Sequence, residues 1–328
     1  VDGPRSLLAE IVTPRDMETL QETGELNIGV PLQGVGRFRI SAMHQRGSIA
    51  VVIRFISQHV PSLASLQLPE ILGDLILQKR GLLLVVGSTG SGKSTTLAAM
   101  IDRRSESMSG HILTIEDPIE FQFHNKKSIV NQREVGTDTQ SMQIALKNAL
   151  RQAPDVILIG EIRDRETMDY AVAFAETGHL CLATLHANSA NQALDRIINF
   201  FPEERRAQLL MDLSLNLRAM VSQRLIPKQD GKGRAAAVEI MLNTPLIADL
   251  IFKGEVAEIK EVMKKSRNLG MQTFDQALFD AYEANVISYE DALRNADSLN
   301  DLRLQIKLNS QRAKSPDLAS GTEHFAIV

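Results

Sequence analysis

The sequence predicts an α/β fold built on a largely parallel sheet, and three observations carry that prediction. Between Leu72 and Arg224, short apolar runs alternate with longer segments of helical spacing, the pattern of consecutive βαβ units. The runs "LLLVVG", "DVILIG" and "HLCLATLH" are continuously apolar rather than alternating, as strands covered on both faces must be. One of them leads directly into "GSTGSGKSTT" (Gly87 to Thr96), a glycine-rich turn followed by a segment able to start a helix.

Residues 1–60 read as a small α/β piece. Within it "GRFRISAMHQRGSIAVVIRFI" is two strands joined by a turn at Arg46 and Gly47. Alternation puts Phe38, Ile40 and Ala42 on one face of the first strand and Arg37, Arg39 and Ser41 on the other. Residues 61–70, "PSLASLQLPE", carry a proline near each end and read as a linker. Residues 71–233 form the expected sheet core, with strands at "LLLVVG", "HILTIE", "DVILIG" and "HLCLATLH". Its helices fall at "MQIALKNALRQ", "ETMDYAVAFAETG" and "NQALDRIINFF". Residues 234–306 begin with a strand, "AAAVEIML", and continue as helices with N-caps at Thr273 and Ser288; "SYED" fits a capping box with Asp as its acid. Residues 307–328 are polar and aperiodic and read as a disordered tail. The chain shows no internal repeat. It starts at Val1 with no export signal, so an N-terminal fragment is expected to be missing.

Composition narrows the function classes. The chain has 328 residues, 44% hydrophobic and 23% charged, with a formal net charge of -4. Nucleic-acid coating proteins need excess Lys and Arg to neutralise phosphates, so no nucleic-acid partner is expected. Lys126, Lys127 and Arg133 read as a solvated loop. A lone cysteine, Cys181, forms no internal disulfide or cysteine-rich zinc cluster and reads as a small apolar strand residue. No apolar run approaches the roughly 20 residues of a membrane span. Membrane contact is therefore expected only through a partner, and a cytoplasmic location follows.

The chemistry gathers around "GSTGSGKSTT", which fits G-x-x-x-x-G-K-[ST] with Gly87, Gly92, Lys93 and Ser94 at the fixed positions. Glycines let the backbone close around phosphate oxygens, and successive N–H groups and the helix N-terminus point at the anion. Ser88, Thr89, Gly90, Ser91, Gly92, Lys93, Ser94 and Thr95 are the candidate nucleotide-binding residues, with Lys93 reaching the terminal phosphates and the Ser94 hydroxyl on Mg²⁺. Hydrolysis also needs carboxylates at neighbouring strand ends. "HILTIEDPIEF" supplies Glu116, Asp117 and Glu120; "DVILIGEIRD" supplies Glu161. One can hold Mg²⁺ through water while another orients or deprotonates the attacking water. His179 and His186 bracket one strand, and either could donate a hydrogen bond to the γ-phosphate.

These four boxes, in this order and at these intervals, resemble the secretion ATPase superfamily, in whose terms they are the Walker A motif, the acidic box, an atypical Walker B and the histidine box. The resemblance runs from "GRFRIS" to "DALRNADSLNDLR" and is nearest to the type IV pilus retraction ATPases, the accessory rather than the main ones. It implies a homohexameric ring in which a PAS-like N-terminal domain and a RecA-like core hold ATP and Mg²⁺ between them. It implies that Glu116 activates water and Glu161 is the acid near Mg²⁺. His186 then reads the γ-phosphate with His179 close by, and Arg39 and Arg54 reach the bound ATP from the N-terminal domain. The implied partners are a main retraction ATPase and an inner-membrane platform protein, at the inner face of the cytoplasmic membrane.

Two departures qualify the resemblance. The family's N-terminal domain usually starts earlier, with further strands. The main retraction motors carry "AIRNLIRE" in the C-terminal region, where this chain has "LIADLIFK", with Ala248 and Phe252 at the two arginine positions. The apolar helical spacing survives and the charges do not, which favours an accessory role. The alternatives are a largely structural ring stacked on the main motor and a pilus assembly or secretion ATPase. The latter usually carries a tetracysteine zinc module, which a single Cys argues against. A nucleic-acid translocase is more distant still.

Overall fold

The computed structural model describes residues 3–33, 35–57 and 59–312. The N-terminal unit consists of α1 (Gly3–Ile11), α2 (Pro14–Thr23), β1 (Glu25–Leu32), β2 (Gly36–Gln45) and β3 (Ser48–Ile56), the strands forming an antiparallel sheet in that order. The β2–β3 hairpin turns at Arg46 and Gly47 with φ of 45° and 75°, the left-handed pair that a two-residue hairpin with the strands' own twist requires. Leu8 and Leu20 of the helices pack on Leu26, Ile40 and Ala42 of the sheet. The other face carries Arg39, whose cross-strand neighbour is Arg54. The helices and β1 were not separated in the sequence reading. Their signal is Thr13, whose side chain caps α2 in a box with Asp16, with a proline in the first turn.

Residues 61–70 are turns rather than a free linker, since Leu63, Leu66 and Leu68 pack onto the central core. The chain continues through α3 (Ile71–Leu75), β4 (Gly81–Val86), α4 (Lys93–Ser107), β5 (Gly110–Glu116) and β6 (Ser128–Glu134). Next come α5 (Met142–Ala149), β7 (Val156–Ile159), α6 (Arg165–Glu176), β8 (Leu180–Leu185), α7 (Ala190–Asn199) and α8 (Glu203–Asn216). The sheet is completed by β9 (Leu217–Pro227) and β10 (Arg234–Leu242). The helices α9 (Pro245–Lys253), α10 (Ile259–Lys265), α11 (Phe274–Glu283), α12 (Tyr289–Arg294) and α13 (Leu299–Asn309) follow.

The central sheet has the order β10-β9-β4-β8-β7-β5-β6, parallel throughout except for β10 on β9. Alternate residues of β4 serve opposite cores. Leu82, Leu84 and Val86 face α6, α7 and α8, whereas Leu83 and Val85 face α3 and α4. Burial on both sides is why these strands read as unbroken apolar runs. Because β8 lies between β4 and β7, the carboxyl ends of β4, β8, β7 and β5 stand in one row at one edge. That is the edge at which parallel α/β sheets bind ligands.

Several expectations meet the structure directly. Cys181 is fully buried in β8, and burial pushes its thiol far above the ordinary range. Arg133 belongs to β6 rather than to a loop, and Lys126 bridges Asp102 and Glu106 of α4 at 2.8 and 2.6 Å. Thr273 caps α11 in a full box with Gln276, while Ser288 caps α12 and donates its hydroxyl to Asp291. The tail needs correcting. Residues 307–309 continue α13, Gln311 donates its backbone N–H to Glu283, and the Arg312 guanidinium stacks over Tyr282 at 4.3 Å. The remainder, 313–328, lies outside the described residues. Among the described residues no helix is long and apolar enough to cross a membrane.

Phe174 of α6 is 1% exposed beneath the sheet. Phe174→Ala is expected to cost about 3–5 kcal/mol of stability, read from urea unfolding of the purified protein.

Candidate active site

The loop after β4 is shaped by what it packs against. Gly92 adopts φ 90°, and a Cβ there would lie 2.6 Å from the Gln223 side-chain nitrogen. Only glycine meets both conditions. Gln223, buried on β9, receives the Thr96 hydroxyl at 2.6 Å and donates to the Ser91 carbonyl at 2.9 Å, pinning the loop to the sheet at both ends. Lys93 opens α4, and its ammonium is held by the Gly87 and Ser88 carbonyls, each at 2.8 Å. Burial lowers its pKa, opposed by Glu161 and Glu120. No side chain caps the N-terminus of α4. Its first-turn amides therefore remain available to an anion.

These groups open onto a cavity of about 460 Å³ lined by Thr89, Gly90, Lys93, Ser94, Glu116 and Glu120, with Glu161, Arg163, Thr184 and His186 opposite. Ser88, Ser91, Gly92 and Thr95 shape the loop without lining the cavity.

Each strand end delivers its group for a local reason. Gly160, at the end of β7, lies so close to β5 that a Cβ would meet the Glu116 Cα at 3.1 Å, which brings Glu161 alongside Glu116. The Glu116 carboxylate accepts the Thr114 hydroxyl at 2.6 Å and the Gln132 amide at 3.3 Å. Burial outweighs these bonds and raises its pKa to about 6. Glu161 is shared between Arg163, 2.7 Å from one oxygen, and His186, whose Nε2 lies 2.9 Å from the other. With a proton on Nε2 the imidazole can donate to a carboxylate or phosphate oxygen. Burial first, then Lys93, lowers the His186 pKa, with Glu161 opposing. That shift favours the neutral imidazole.

The donor set fits Mg²⁺ with a nucleotide. Ser94 and Glu161 offer oxygens on one cavity, and Mg²⁺ takes few protein ligands when phosphates supply the rest. Among the described residues no cluster of His, Cys, Asp and Glu could hold a metal alone.

Three expected site residues stand elsewhere. His179 precedes β8 at the opposite edge of the sheet, bonded to Thr177 and to the Phe174 carbonyl. A strand separates it from His186, at about 3.3 Å per residue. Arg39 and Arg54 lie on the N-terminal sheet outside the cavity, and among the described residues neither side chain makes an ion pair or hydrogen bond. Conversely, Thr114, Gln132 and Gln223 were missed. Each is a polar residue inside a strand, and that was their only signal.

A family model described as "Type II/IV secretion system protein" matches residues 18–286. The chain is 59% identical to the Type IV pilus ATPase PilU of Pseudomonas aeruginosa, over 98% of this chain and 84% of that protein. It is 43% identical to the Type IV pilus retractation ATPase PilT of the same organism, over 89% and 84%. A crystal structure of the pilus retraction motor PilT with bound ADP superposes with a TM-score of 0.86 at 41% identity, covering 92% of this chain and 85% of that one.

Gln223→Ala removes both loop anchors. Its expected cost is about 1–3 kcal/mol, and nucleotide should recover less of the thermal stability than in the wild type. Thermal unfolding with and without MgADP checks both effects.

Proposed function

The chain belongs to the Type II/IV secretion system protein family, and on that premise we propose that it is an ATP-hydrolysing motor subunit that assists retraction of a type IV pilus beside a main retraction ATPase. The observation that carries this reading is the convergence of Lys93, Ser94, Glu116, Glu161 and His186 on one cavity.

In this reading the loop amides, the α4 N-terminus and Lys93 hold the phosphates, which compete for the ammonium with the Gly87 and Ser88 carbonyls. Ser94, and Glu161 through water, would hold Mg²⁺, which would neutralise phosphate charge. Glu116 accepts a proton from the water whose oxygen attacks the γ-phosphorus, while the bond to the bridging oxygen of ADP breaks. Neutral His186 donates from Nε2 to the γ-phosphate and must release Glu161 to do so. Arg39 and Arg54 would reach a nucleotide after movement of the N-terminal sheet or from a neighbouring subunit of a homohexamer. There they would stabilise charge on the transferring phosphoryl group. The ring would act at the cytoplasmic face of the inner membrane, through a platform protein.

A second reading, a largely structural ring stacked on the main motor, draws on α9. There Phe252 is exposed, and Ala248 takes the other position that is arginine in the main retraction motors.

Glu116→Gln is expected to abolish ATP hydrolysis while leaving nucleotide binding, and Lys93→Ala to weaken both; phosphate release and fluorescent-nucleotide titration distinguish them. Since the Glu116 pKa is raised to about 6, the base is protonated below that value. Turnover should be level above pH 6 and fall about tenfold per unit below it. In cells, loss of a retraction motor leaves piliated, non-twitching bacteria, whereas bald cells would point to assembly. Full rescue of twitching by Lys93→Ala would leave only the structural ring.

A further inference from the structure

The sequence reading put Arg37 on the polar face of its strand and gave it no task. In the structure it crosses from the N-terminal sheet to the core, where its Nη2 lies 3.5 Å from Glu134. The guanidinium has a built seat. A Cβ on Gly29 of β1 would come within 2.6 Å of Nη2 and 2.9 Å of Nε, so the missing side chain is what lets Arg37 lie there. Its Nε is buried without a partner.

Glu134 is 5% exposed and is more than a counter-ion. It accepts the backbone N–H of Ile119 at 3.1 Å and the Thr137 hydroxyl at 3.1 Å. Ile119 belongs to the strap, residues 117–123, that follows Glu116. Gln132, two residues earlier on β6 and hence on the same face, holds the rest. It donates to the Phe121 carbonyl at 2.8 Å, accepts the Phe123 N–H at 2.9 Å, and touches the Glu116 carboxylate. A second stitch runs from the N-terminal unit to the same strap, where Gln122 donates to the Ser57 carbonyl at 3.3 Å.

We propose that Arg37 is a positioning residue. Seated on Gly29, it ties the N-terminal sheet through Glu134 to the strap beside Glu116, so the placement of that sheet governs the hydrolytic base. The inference rests on the reading of Glu116 as that base.

The test is steady-state ATPase kinetics of the full chain with R37Q, R37K, E134Q, G29A, R37Q/E134Q and E116Q, each checked by thermal unfolding. R37Q is expected to lower kcat about tenfold or more with KM for ATP within about twofold, because nucleotide contacts are untouched. R37K should recover part of the loss. R37Q/E134Q should be no worse than the worse single variant, as for two members of one link. Gly29 does not have a positive φ, so alanine is tolerated by the backbone there. G29A displaces the flexible guanidinium without altering charge and should reproduce R37Q, and it keeps the test alive if R37Q folds poorly. Wild-type kcat in R37Q and G29A, a change confined to KM, additive losses, or a lowered melting temperature with unchanged kcat would each overturn the proposal. If E116Q is inactive in that case, the assignment of the base survives; wild-type hydrolysis by E116Q removes both.

Discussion

The site depends on the pairing of β8 between β4 and β7. That one insertion places the phosphate loop, His186, Glu161 and Glu116 in a single row, although the segments bearing them are spread from residue 87 to residue 186. It is enforced by burial. Leu180, Cys181, Leu182, Ala183 and Leu185 are all fully buried, so no slip that exposed them would be tolerated. The small side chains of Cys181 and Ala183 let α6 lie close beneath.

Within the row the charges are arranged to be exchanged. Lys93 is hydrogen-bonded to carbonyls rather than to a carboxylate, so in the proposed reading a phosphate has no ion pair to break at the ammonium. Glu161 is approached from two sides, by Arg163 at 2.7 Å and by His186 at 2.9 Å. Glu116 lacks any cation of its own and is steadied only by neutral donors, which is why burial succeeds in raising its pKa.

Much of this was legible in the sequence because it rests on local patterns. Continuous apolar runs gave the parallel strands, the spacing of glycines around Lys93 gave the loop, and the strand ends placed Glu116 and Glu161 beside its cavity. The β2–β3 hairpin was legible from Arg46 and Gly47. What stayed hidden depends on pairing across the chain. Gln223 matters because β9 lies against β4, and nothing near residue 223 announces that. The same blindness misplaced His179: two histidines at the ends of one short apolar run look equivalent until the strand is extended, and then they stand at opposite edges. Alternation puts Arg39 on the polar face of its strand and the resemblance adds Arg54, yet no strand pattern says how far that face lies from a cavity in another unit. Residues 307–312 read as tail because the stacking of Arg312 on Tyr282 leaves no periodic trace.

The strand order also divides the sheet mechanically. β4, which carries the phosphate grip, is flanked by strands on both sides and by helices on both faces. Glu116, the base in the proposed reading, sits on β5, one strand from the margin, and Gln132 and Glu134 are on β6, the margin itself. In that reading the phosphate grip lies in the interior of the sheet and the hydrolytic group beside its margin. On the proposed function, a change at that margin would touch turnover while leaving the nucleotide grip in place.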